Sequence, residues 1–382
     1  MNVSKNKNCY GCGVCAIACP FHIINMNLND EGFLEPSIDL DKCIDCGLCS
    51  SVCSFNNEKL CDNESNEILG YASWSLNAKN RRKSSSGGIA YELARDLITK
   101  GYKICAVKYN VVTRRAEHYI ARTEKELDAS QGSKYIQSYT LKGLEAINWD
   151  EKYAIIGTPC MIDSMRRLIN KKHVGKNFIL IDFLCHGVPS YLLWNKYLNM
   201  QESKLGDIKK VSFRYGENGW HDSLKMHLEA DKDYSGGLCQ DDIFFKLFLG
   251  DYCLNRACYR NCKFKMQNTS ADIRIGDLWG NTYSNYEEGV SGVLLATEKG
   301  KKIFLEAQNI YRKKECENIV MEGQMYNTPS YPFVRLLLLK LMKKNNNNFM
   351  MENIIIKIDK AIKKIKKIFL HPNIVMKNRL MR

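Results

Sequence analysis

The chain has 382 residues, 45% of them hydrophobic, which suffices for one large domain or two to three smaller ones with real cores. It holds 17 cysteines and opens on a polar stretch, so we expect a metal-binding protein of the reducing cytoplasm and not a secreted disulfide scaffold. It has no run of 18 apolar residues, so we expect no transmembrane helix. The net charge of +14 comes mainly from residues 340–382, which hold twelve Lys or Arg and two acids, so the nearly balanced remainder gives no reason to expect a nucleic-acid partner.

Residues 1–60 contain the same cysteine spacing twice. The pattern C-x2-C-x2-C-x3-C is that of bacterial ferredoxins, in which three cysteines bind one [4Fe–4S] cluster and the fourth binds the other cluster. Two separate zinc sites are the alternative, and the duplicated spacing argues against them. Cluster one is therefore expected to bind Cys9, Cys12, Cys15 and Cys53, and cluster two Cys43, Cys46, Cys49 and Cys19.

From Tyr71 onward the pattern changes to alternating strands and helices. Residues 61–70 are polar and are predicted to be a linker. Two near-continuous apolar runs, each followed by a helical segment, are typical of buried parallel strands. The predicted elements are a helix over 89–98, a strand over 103–109, strands in "YAIIGTP" and "FILIDFLC", helices over 161–170 and 190–200, an antiparallel pair in "KVSFRYG" and "LKMHLEA", strands in "DIRIGDLWG" and "GVLLAT", and a helix near 300–310.

Two further cysteines, Cys160 and Cys185, stand at the ends of the two buried strands. If these strands are parallel neighbours, both thiols lie at the carboxyl edge of the sheet, where open α/β sheets bind ligands. The segment "CYRNCKF" supplies Cys258 and Cys262, which would complete a four-thiolate site. Buried core thiols are the alternative for all four residues.

Several motifs in this region occur in the order found in a known family. They are "SSSGGIA", "GSKYIQS", "GTPCMID", "CHGVPS", "FRYGENGW" and "CYRNCKF…ADIRIGDLWG". Over residues 70–335 the chain resembles the beta subunit of coenzyme F420-reducing hydrogenase and dehydrogenase. The resemblance implies FAD beside an iron–sulfur cluster, with Cys160, Cys185, Cys258 and Cys262 as ligands of a third [4Fe–4S] cluster. The family has two residues between the last two cysteines and this chain has three, so nearby Cys253 is an alternative ligand.

The resemblance also marks a candidate flavin site. Ser86, Gly87 and Gly88 precede a helix, where backbone N–H groups suit a pyrophosphate. On the residues alone an ordinary N-cap with Ser86 is the better explanation, and the resemblance is what makes the segment a flavin loop. The other candidates are Lys134, Tyr135, Thr158, Gly187, Asp277, Trp279 and Gly280 as FAD contacts and His186 as a proton donor. A solvated lysine, a half-buried aromatic ring, a capping aspartate and a structural histidine are their ordinary alternatives.

The last segment, residues 345–382, begins with "NNNN" and continues as "MENIIIKIDKAIKKIKKIFL". Isoleucines at helical spacing alternate with lysines, which predicts a basic amphipathic helix. Such a helix binds an anionic membrane surface or an acidic partner, or is a plain surface helix.

We therefore expect an α+β ferredoxin-like bis-[4Fe–4S] module over 1–60, an α/β domain with a mixed sheet over 71–335, and a basic amphipathic tail over 345–382. The expected function is that of a cytoplasmic flavin-dependent oxidoreductase. It would take single electrons from a ferredoxin or a hydrogenase or dehydrogenase subunit and deliver hydride to a small-molecule acceptor such as a deazaflavin. The alternative is an electron-transfer subunit without its own substrate, in a larger redox complex or a polysaccharide biosynthesis pathway.

Overall fold

The structure, a computed structural model, describes residues 2–63, 67–216, 219–260, 262–344 and 346–370. Parts of five predicted segments lie outside the described residues: 1 of the N-terminal module, 64–66 of the linker, 217–218 of "FRYGENGW", 261 of "CYRNCKF", and 345 and 371–382 of the tail. In the ranges that are described, no helix has the length and apolar character needed to span a membrane.

The described strands form three sheets. The strands are β1 (Ile24–Leu28), β2 (Leu34–Ile38), β3 (Leu69–Ser75), β4 (Lys103–Asn110), β5 (Arg115–Ala121), β6 (Ser138–Tyr139), β7 (Tyr153–Ile156), β8 (Phe178–Phe183), β9 (Lys210–Ser212), β10 (Lys225–Glu229), β11 (Tyr234–Gly237), β12 (Ile273–Asp277), β13 (Ser291–Leu295) and β14 (Ile310–Glu315).

The described α-helices are α1 (Val14–Ala18), α2 (Leu48–Ser51), α3 (Ala78–Lys83), α4 (Ile89–Thr99), α5 (Glu124–Leu127), α6 (Leu141–Leu144), α7 (Pro159–Lys172), α8 (Tyr191–Leu205), α9 (Ile243–Leu249), α10 (Arg256–Arg260), α11 (Glu298–Glu306), α12 (Glu317–Val320), α13 (Arg335–Met342) and α14 (Met350–Leu370).

The largest sheet has nine strands in the order β14-β3-β13-β12-β8-β7-β4-β5-β6. Its central pairs β12–β8, β8–β7 and β7–β4 are parallel, whereas β12–β13, β13–β3, β3–β14 and β4–β5 are antiparallel. The predicted mixed sheet is therefore confirmed, as is the antiparallel pairing of β9 with β10.

The central strands are buried on both faces, which explains their continuous apolar sequences. In β8, Ile179 and Ile181 belong to the core that contains α4 and α11, while Phe178 and Leu180 belong to the core that contains α7. A third core, rich in aromatic rings, joins α8, α9, α13 and α14 to the small sheet β9–β11. Both faces of the large sheet are covered by these cores. The carboxyl ends of the parallel strands β7 and β8 are where such a sheet can form a ligand site.

The N-terminal module is a short two-fold repeat around the hairpin β1–β2. Helices α1 and α2 each begin after a glycine with positive φ, Gly13 at +74° and Gly47 at +76°. Val14 and Val52 are fully buried in the core that contains α7. The module is therefore packed directly against the α/β domain.

Candidate redox site

The carboxyl edge of the large sheet brings four cysteines together. Cys160 lies in the first turn of α7 after β7, and Cys185 follows β8. Cys258 lies on α10 and Cys262 comes shortly after that helix. All four line one cavity, together with His186 and Lys265. This cavity is called the inner site below.

Burial affects the thiols of Cys160, Cys185 and Cys258 at the inner site. Burial raises the pKa of Cys185 to about 11 and that of Cys258 to about 12. Burial, followed by the neighbouring thiol of Cys12, raises the pKa of Cys160 well above its ordinary value. Buried thiols of this kind become thiolates when a metal supplies the positive charge.

The ammonium group of Lys265 makes the inner site suitable for a negatively charged group. Its side chain is largely buried, and Nζ donates to the carbonyl oxygens of Cys185 at 2.8 Å and His186 at 3.2 Å. Among the described residues, no carboxylate lies within 4.0 Å of this ammonium group in an ion pair. An uncompensated buried ammonium is costly. Four thiolates on an iron–sulfur cluster would supply the missing negative charge.

Within the described residues, no group of three or more His, Cys, Asp and Glu side chains is arranged to hold a single metal ion. A [4Fe–4S] cluster binds each of four thiolates to a different iron, and four cysteines line the inner site.

Cys253, the alternative fourth ligand, lies elsewhere. Its side chain is fully buried in the aromatic core, and its sulfur is 3.9 Å from that of Met342. Burial raises the pKa of this thiol to about 12. The backbone carbonyl of Cys253 accepts from the N–H of Ser190, which fixes the segment before α10. The geometry therefore favours Cys262.

The N-terminal module contains a second cavity, called the outer site below. It is lined by the four residues predicted for cluster one, Cys9, Cys12, Cys15 and Cys53. Cys53 comes from the second cysteine run, as the ferredoxin pattern requires. The remaining thiols gather nearby: those of Cys19 and Cys46 are close enough to raise the pKa of Cys49, after burial, and Asn2 Nδ2 contacts Cys43 Sγ at 3.4 Å.

The inner and outer sites have a common wall, formed by Tyr10, Gly11 and Cys12. The ring of Tyr10 packs edge-on against Phe55 at 5.5 Å and Phe264 at 5.9 Å between centroids. A Cβ atom at Gly11 would lie 2.4 Å from a backbone oxygen, so only glycine fits there. The Cys12 thiol of the outer site is close enough to the Cys160 thiol of the inner site to raise its pKa, so the two groups of thiols are neighbours.

The predicted flavin loop lies at the same sheet edge. Gly88 caps α4 with φ +86°. A Cβ atom at Gly87 would lie 2.5 Å from the carbonyl oxygen of Ser73 and 2.7 Å from the backbone nitrogen of Ser291. Because β13 runs antiparallel to both β3 and β12, Ser73, Ser291 and Asp277 meet at this edge. Packing against β3 and β13 is therefore one reason for glycine at position 87.

Lys134 is turned toward its own loop. Its Nζ donates to the carbonyl oxygens of Ser130, Gln131 and Gly132 at 2.7, 3.0 and 2.9 Å. Burial lowers the pKa of this amine to about 7. Its three hydrogen bonds hold the loop that precedes Tyr135. They also occupy the N–H groups that a ligand would need.

Arg214, which we did not single out in the sequence, joins three predicted flavin residues. Its guanidinium donates to Asp277 Oδ2 at 2.9 Å and to the Tyr135 hydroxyl at 3.2 Å, and lies 5.2 Å from the centre of the Trp279 ring. Trp220 stacks on Trp279 at 4.8 Å. The "FRYGENGW" motif, which holds both Arg214 and Trp220, was the available signal.

The other predicted residues divide between the inner site and its surroundings. Thr158 and Gly187 line the inner site, and Thr158 Oγ1 is 3.3 Å from Cys160 Sγ. His186 Nε2 lies 2.9 Å from Asp251 Oδ1 without the alignment of a hydrogen bond. Gly280 is packed beneath the Glu322 carboxylate, which a Cβ atom would displace.

His118 is a further inner-site residue that the sequence did not reveal. It lies on β5, and burial lowers its pKa to about 4. Its Nδ1 is 2.8 Å from Ser138 Oγ and its Nε2 is 3.3 Å from the Ile156 carbonyl oxygen. A neutral histidine therefore forms part of the cavity wall.

Comparison with known proteins agrees with the two cysteine-rich regions. Residues 150–317 match the family model for the C terminus of the coenzyme F420 hydrogenase/dehydrogenase beta subunit, and residues 8–57 match that of the 4Fe–4S dicluster domain. Among solved structures, a chain of the xenon-derivatized F420-reducing [NiFe] hydrogenase complex from Methanosarcina barkeri aligns at 18% identity over 72% of this chain and 88% of that chain, with a TM-score of 0.48. No curated protein matches. Residues 8–57 thus match the 4Fe–4S dicluster domain and residues 150–317 match the C terminus of the F420 hydrogenase and dehydrogenase beta subunit, which indicates an iron–sulfur protein of redox type.

Proposed function

We propose that the chain is an iron–sulfur flavoprotein oxidoreductase. It takes single electrons from a protein donor, a ferredoxin or another subunit of a cytoplasmic redox complex, and delivers them as hydride to a small-molecule acceptor. A deazaflavin is the acceptor that the family's name suggests. Bound FAD would supply the change from one-electron to two-electron chemistry.

The observation that carries this proposal is the common wall of the inner and outer sites. Tyr10, Gly11 and Cys12 line both cavities, so thiolates of the N-terminal module and of the α/β domain are neighbours. The buried ammonium group of Lys265 supports an anionic cluster at the inner site. Cys160, Cys185, Cys258 and Cys262 would hold a third [4Fe–4S] cluster there.

Two groups of residues are proposed to bind FAD at the sheet edge. Ser86, Gly87 and Gly88 offer the N-terminus of α4 to the pyrophosphate. Tyr135, Asp277 and Trp279, joined by Arg214, offer aromatic and charged surface to the ring system. Thr158 and Gly187 line the space next to the cysteines, and His186 would hold a proton there for the acceptor.

An electron-transfer subunit without its own substrate is the second candidate. It is favoured by the positions of two predicted FAD contacts. Lys134 Nζ is already bound by loop carbonyls, and Gly280 is covered by Glu322. In that case the chain would relay electrons within a larger complex.

Anaerobic purification with iron and flavin analysis separates these functions. Twelve irons and one FAD per chain are expected for the oxidoreductase. Twelve irons without flavin would favour the relay, and eight irons without flavin would contradict the third cluster. Transfer from reduced ferredoxin to a deazaflavin, followed by absorbance, then tests the acceptor.

The inner-site ligands are tested by two cysteine variants. Cys262→Ser is expected to lower the iron content by about four irons, because it removes a ligand of a [4Fe–4S] cluster. Cys253→Ser, its matched control, is expected to keep twelve irons, since Cys253 lies in the aromatic core. The reverse pattern would make Cys253 the ligand.

We also propose that α14 contacts an anionic membrane surface. Its Ile354, Ile358 and Ile365 side chains are 41%, 54% and 52% exposed, and the exposed Lys357 and Lys360 lie beside them on the helix. Exposed apolar side chains flanked by lysines are typical of interfacial helices.

Vesicle sedimentation tests this contact. The protein is expected to pellet with vesicles that contain phosphatidylglycerol and to stay in solution with phosphatidylcholine alone. Ile354→Asp with Ile358→Asp should abolish pelleting, while Val112→Asp, at an equally apolar and more exposed position, should not. Pelleting that is unaffected by the helix variants would exclude α14 as the contact.

A further inference from the structure

Two lysines flank Phe264 immediately after Cys262, and their ammonium groups lie in different environments. Lys263 Nζ donates to the carbonyl oxygens of Ser54, Asn57 and Lys59, which follow the second cysteine run. Lys265 Nζ donates to the carbonyl oxygens of Cys185 and His186 at the inner site. One segment thus presents a positive charge to each of two neighbouring regions.

The two charges differ in compensation. Lys263 is 4.0 Å from the buried Asp163 carboxylate, which it shares with Arg167 at 2.9 Å. Lys265 has no such carboxylate among the residues that the structure describes. Hydrogen bonds to the carbonyl oxygens of Cys185 and His186 hold its ammonium group at the inner site, whose cavity it lines. The field of Lys265 therefore acts mainly on the inner site.

We infer that Lys265 sets the reduction potential of the inner site and makes electron transfer from the outer site favourable. This inference rests on the proposed function, because it requires a [4Fe–4S] cluster on Cys160, Cys185, Cys258 and Cys262. Reduction adds one electron and no proton, so the group bound by the four thiolates gains one negative charge. A fixed ammonium in a poorly solvated cavity stabilises that added charge.

Two cations lie near Cys53 of the outer site, Arg167 and Lys263, and both are paired with the buried Asp163 carboxylate, whereas Lys265 pairs with no carboxylate among the described residues. The outer site is therefore expected to have the lower potential of the two. Electrons that enter through the N-terminal module would then move inward, across the wall formed by Tyr10, Gly11 and Cys12.

Potentiometric titration followed by electron paramagnetic resonance tests the inference on the full-length, cluster-loaded protein. Cys160→Ala first identifies the inner-site signal by its loss. Lys265→Gln removes the charge and keeps an N–H donor for the two carbonyls. We expect this variant to shift the inner-site midpoint to a more negative potential, while Lys265→Arg leaves it near the wild-type value.

Lys263→Gln is the matched control, because it removes the same charge two residues away. It is expected to shift the inner-site midpoint far less than Lys265→Gln. An unchanged midpoint in Lys265→Gln, or equal shifts in both variants, would overturn the inference.

If a Lys265 variant loses the inner cluster, the comparison between the two Lys265 variants still tests the inference. Loss in Lys265→Gln with retention in Lys265→Arg supports the need for the charge, whereas loss in both shows a packing role and overturns it. Absence of an inner-site signal in the wild-type protein would instead refute the proposed third cluster.

Discussion

At the scale of the residue, close backbone contacts limit what the loop before α4 tolerates. Gly87 lies against two strands, and both of its nearest neighbours are backbone atoms. A backbone atom cannot rotate out of the way as the end of a long side chain can. The loop that we propose for FAD binding therefore also packs closely against the backbone of β3 and β13.

Gly87→Ala is expected to destabilise the protein by about 1–3 kcal/mol, since the new Cβ atom would lie 2.5 Å from the Ser73 oxygen. Thermal denaturation of the cofactor-loaded protein measures the effect as a lower midpoint. Gly175→Ala is the control, because no atom lies within 4 Å of a Cβ built there. Equal midpoints for the two variants would disprove the packing argument.

Residue positions differ in how far the sequence predicts them. The cysteine spacing is local, so the C-x2-C runs and the strand-end thiols were found directly from the sequence. Arg214 was not, because its partners Tyr135 and Asp277 are brought to it only by the fold. Lys134 shows the reverse case: the motif marked the residue, but nothing local indicated that its ammonium would bind its own loop.

At the scale of the element, α14 has polar residues on its buried side. Glu352 pairs with Lys196 of α8 at 2.5 Å, and Asp359 accepts from the Tyr252 hydroxyl at 2.8 Å. Both carboxylates and Lys196 are almost fully buried. Apolar periodicity predicted the helix, but not this orientation, because the partners that select the buried face are distant in sequence.

Glu352→Ala is expected to loosen α14, because it leaves the buried ammonium of Lys196 unpaired at a cost of about 3–5 kcal/mol. Hydrogen exchange should show faster exchange in α14 and little change in α4. The double variant Lys196→Met, Glu352→Leu removes both charges and should restore protection. Unchanged exchange in the single variant would argue against the ion pair as the tether.

At the scale of the whole molecule, the N-terminal module is held by the larger domain at several points. Glu31, in the turn between β1 and β2, pairs with Arg256 and with Arg335, the latter at 2.7 Å. Burial raises the pKa of Glu31, but hydrogen bonds from the two arginines leave it below its ordinary value. The mixed sheet followed from the sequence, whereas this docking did not, because it depends on single long-range pairs.

Glu31→Ala is expected to weaken the docking of the module by roughly 3 kcal/mol, since it leaves the fully buried Arg335 without its carboxylate. Limited proteolysis should then cut more rapidly near residues 57–63, which follow the second cysteine run. Asp30→Ala is the control. Asp30 is fully exposed, and its ion pair with Lys343 at 3.8 Å contributes little because both charges are solvated. Equal cleavage of both variants would show that other contacts hold the module.

The wall formed by Tyr10, Gly11 and Cys12 has a consequence for the maturation of the protein. Tyr10 is almost completely buried and covers one side of the inner site, so the closed module obstructs delivery of iron and sulfide from that side. We therefore expect the cluster that we propose at the inner site to be inserted first, before the N-terminal module closes over it. The order of biogenesis would then be the reverse of the order of electron flow.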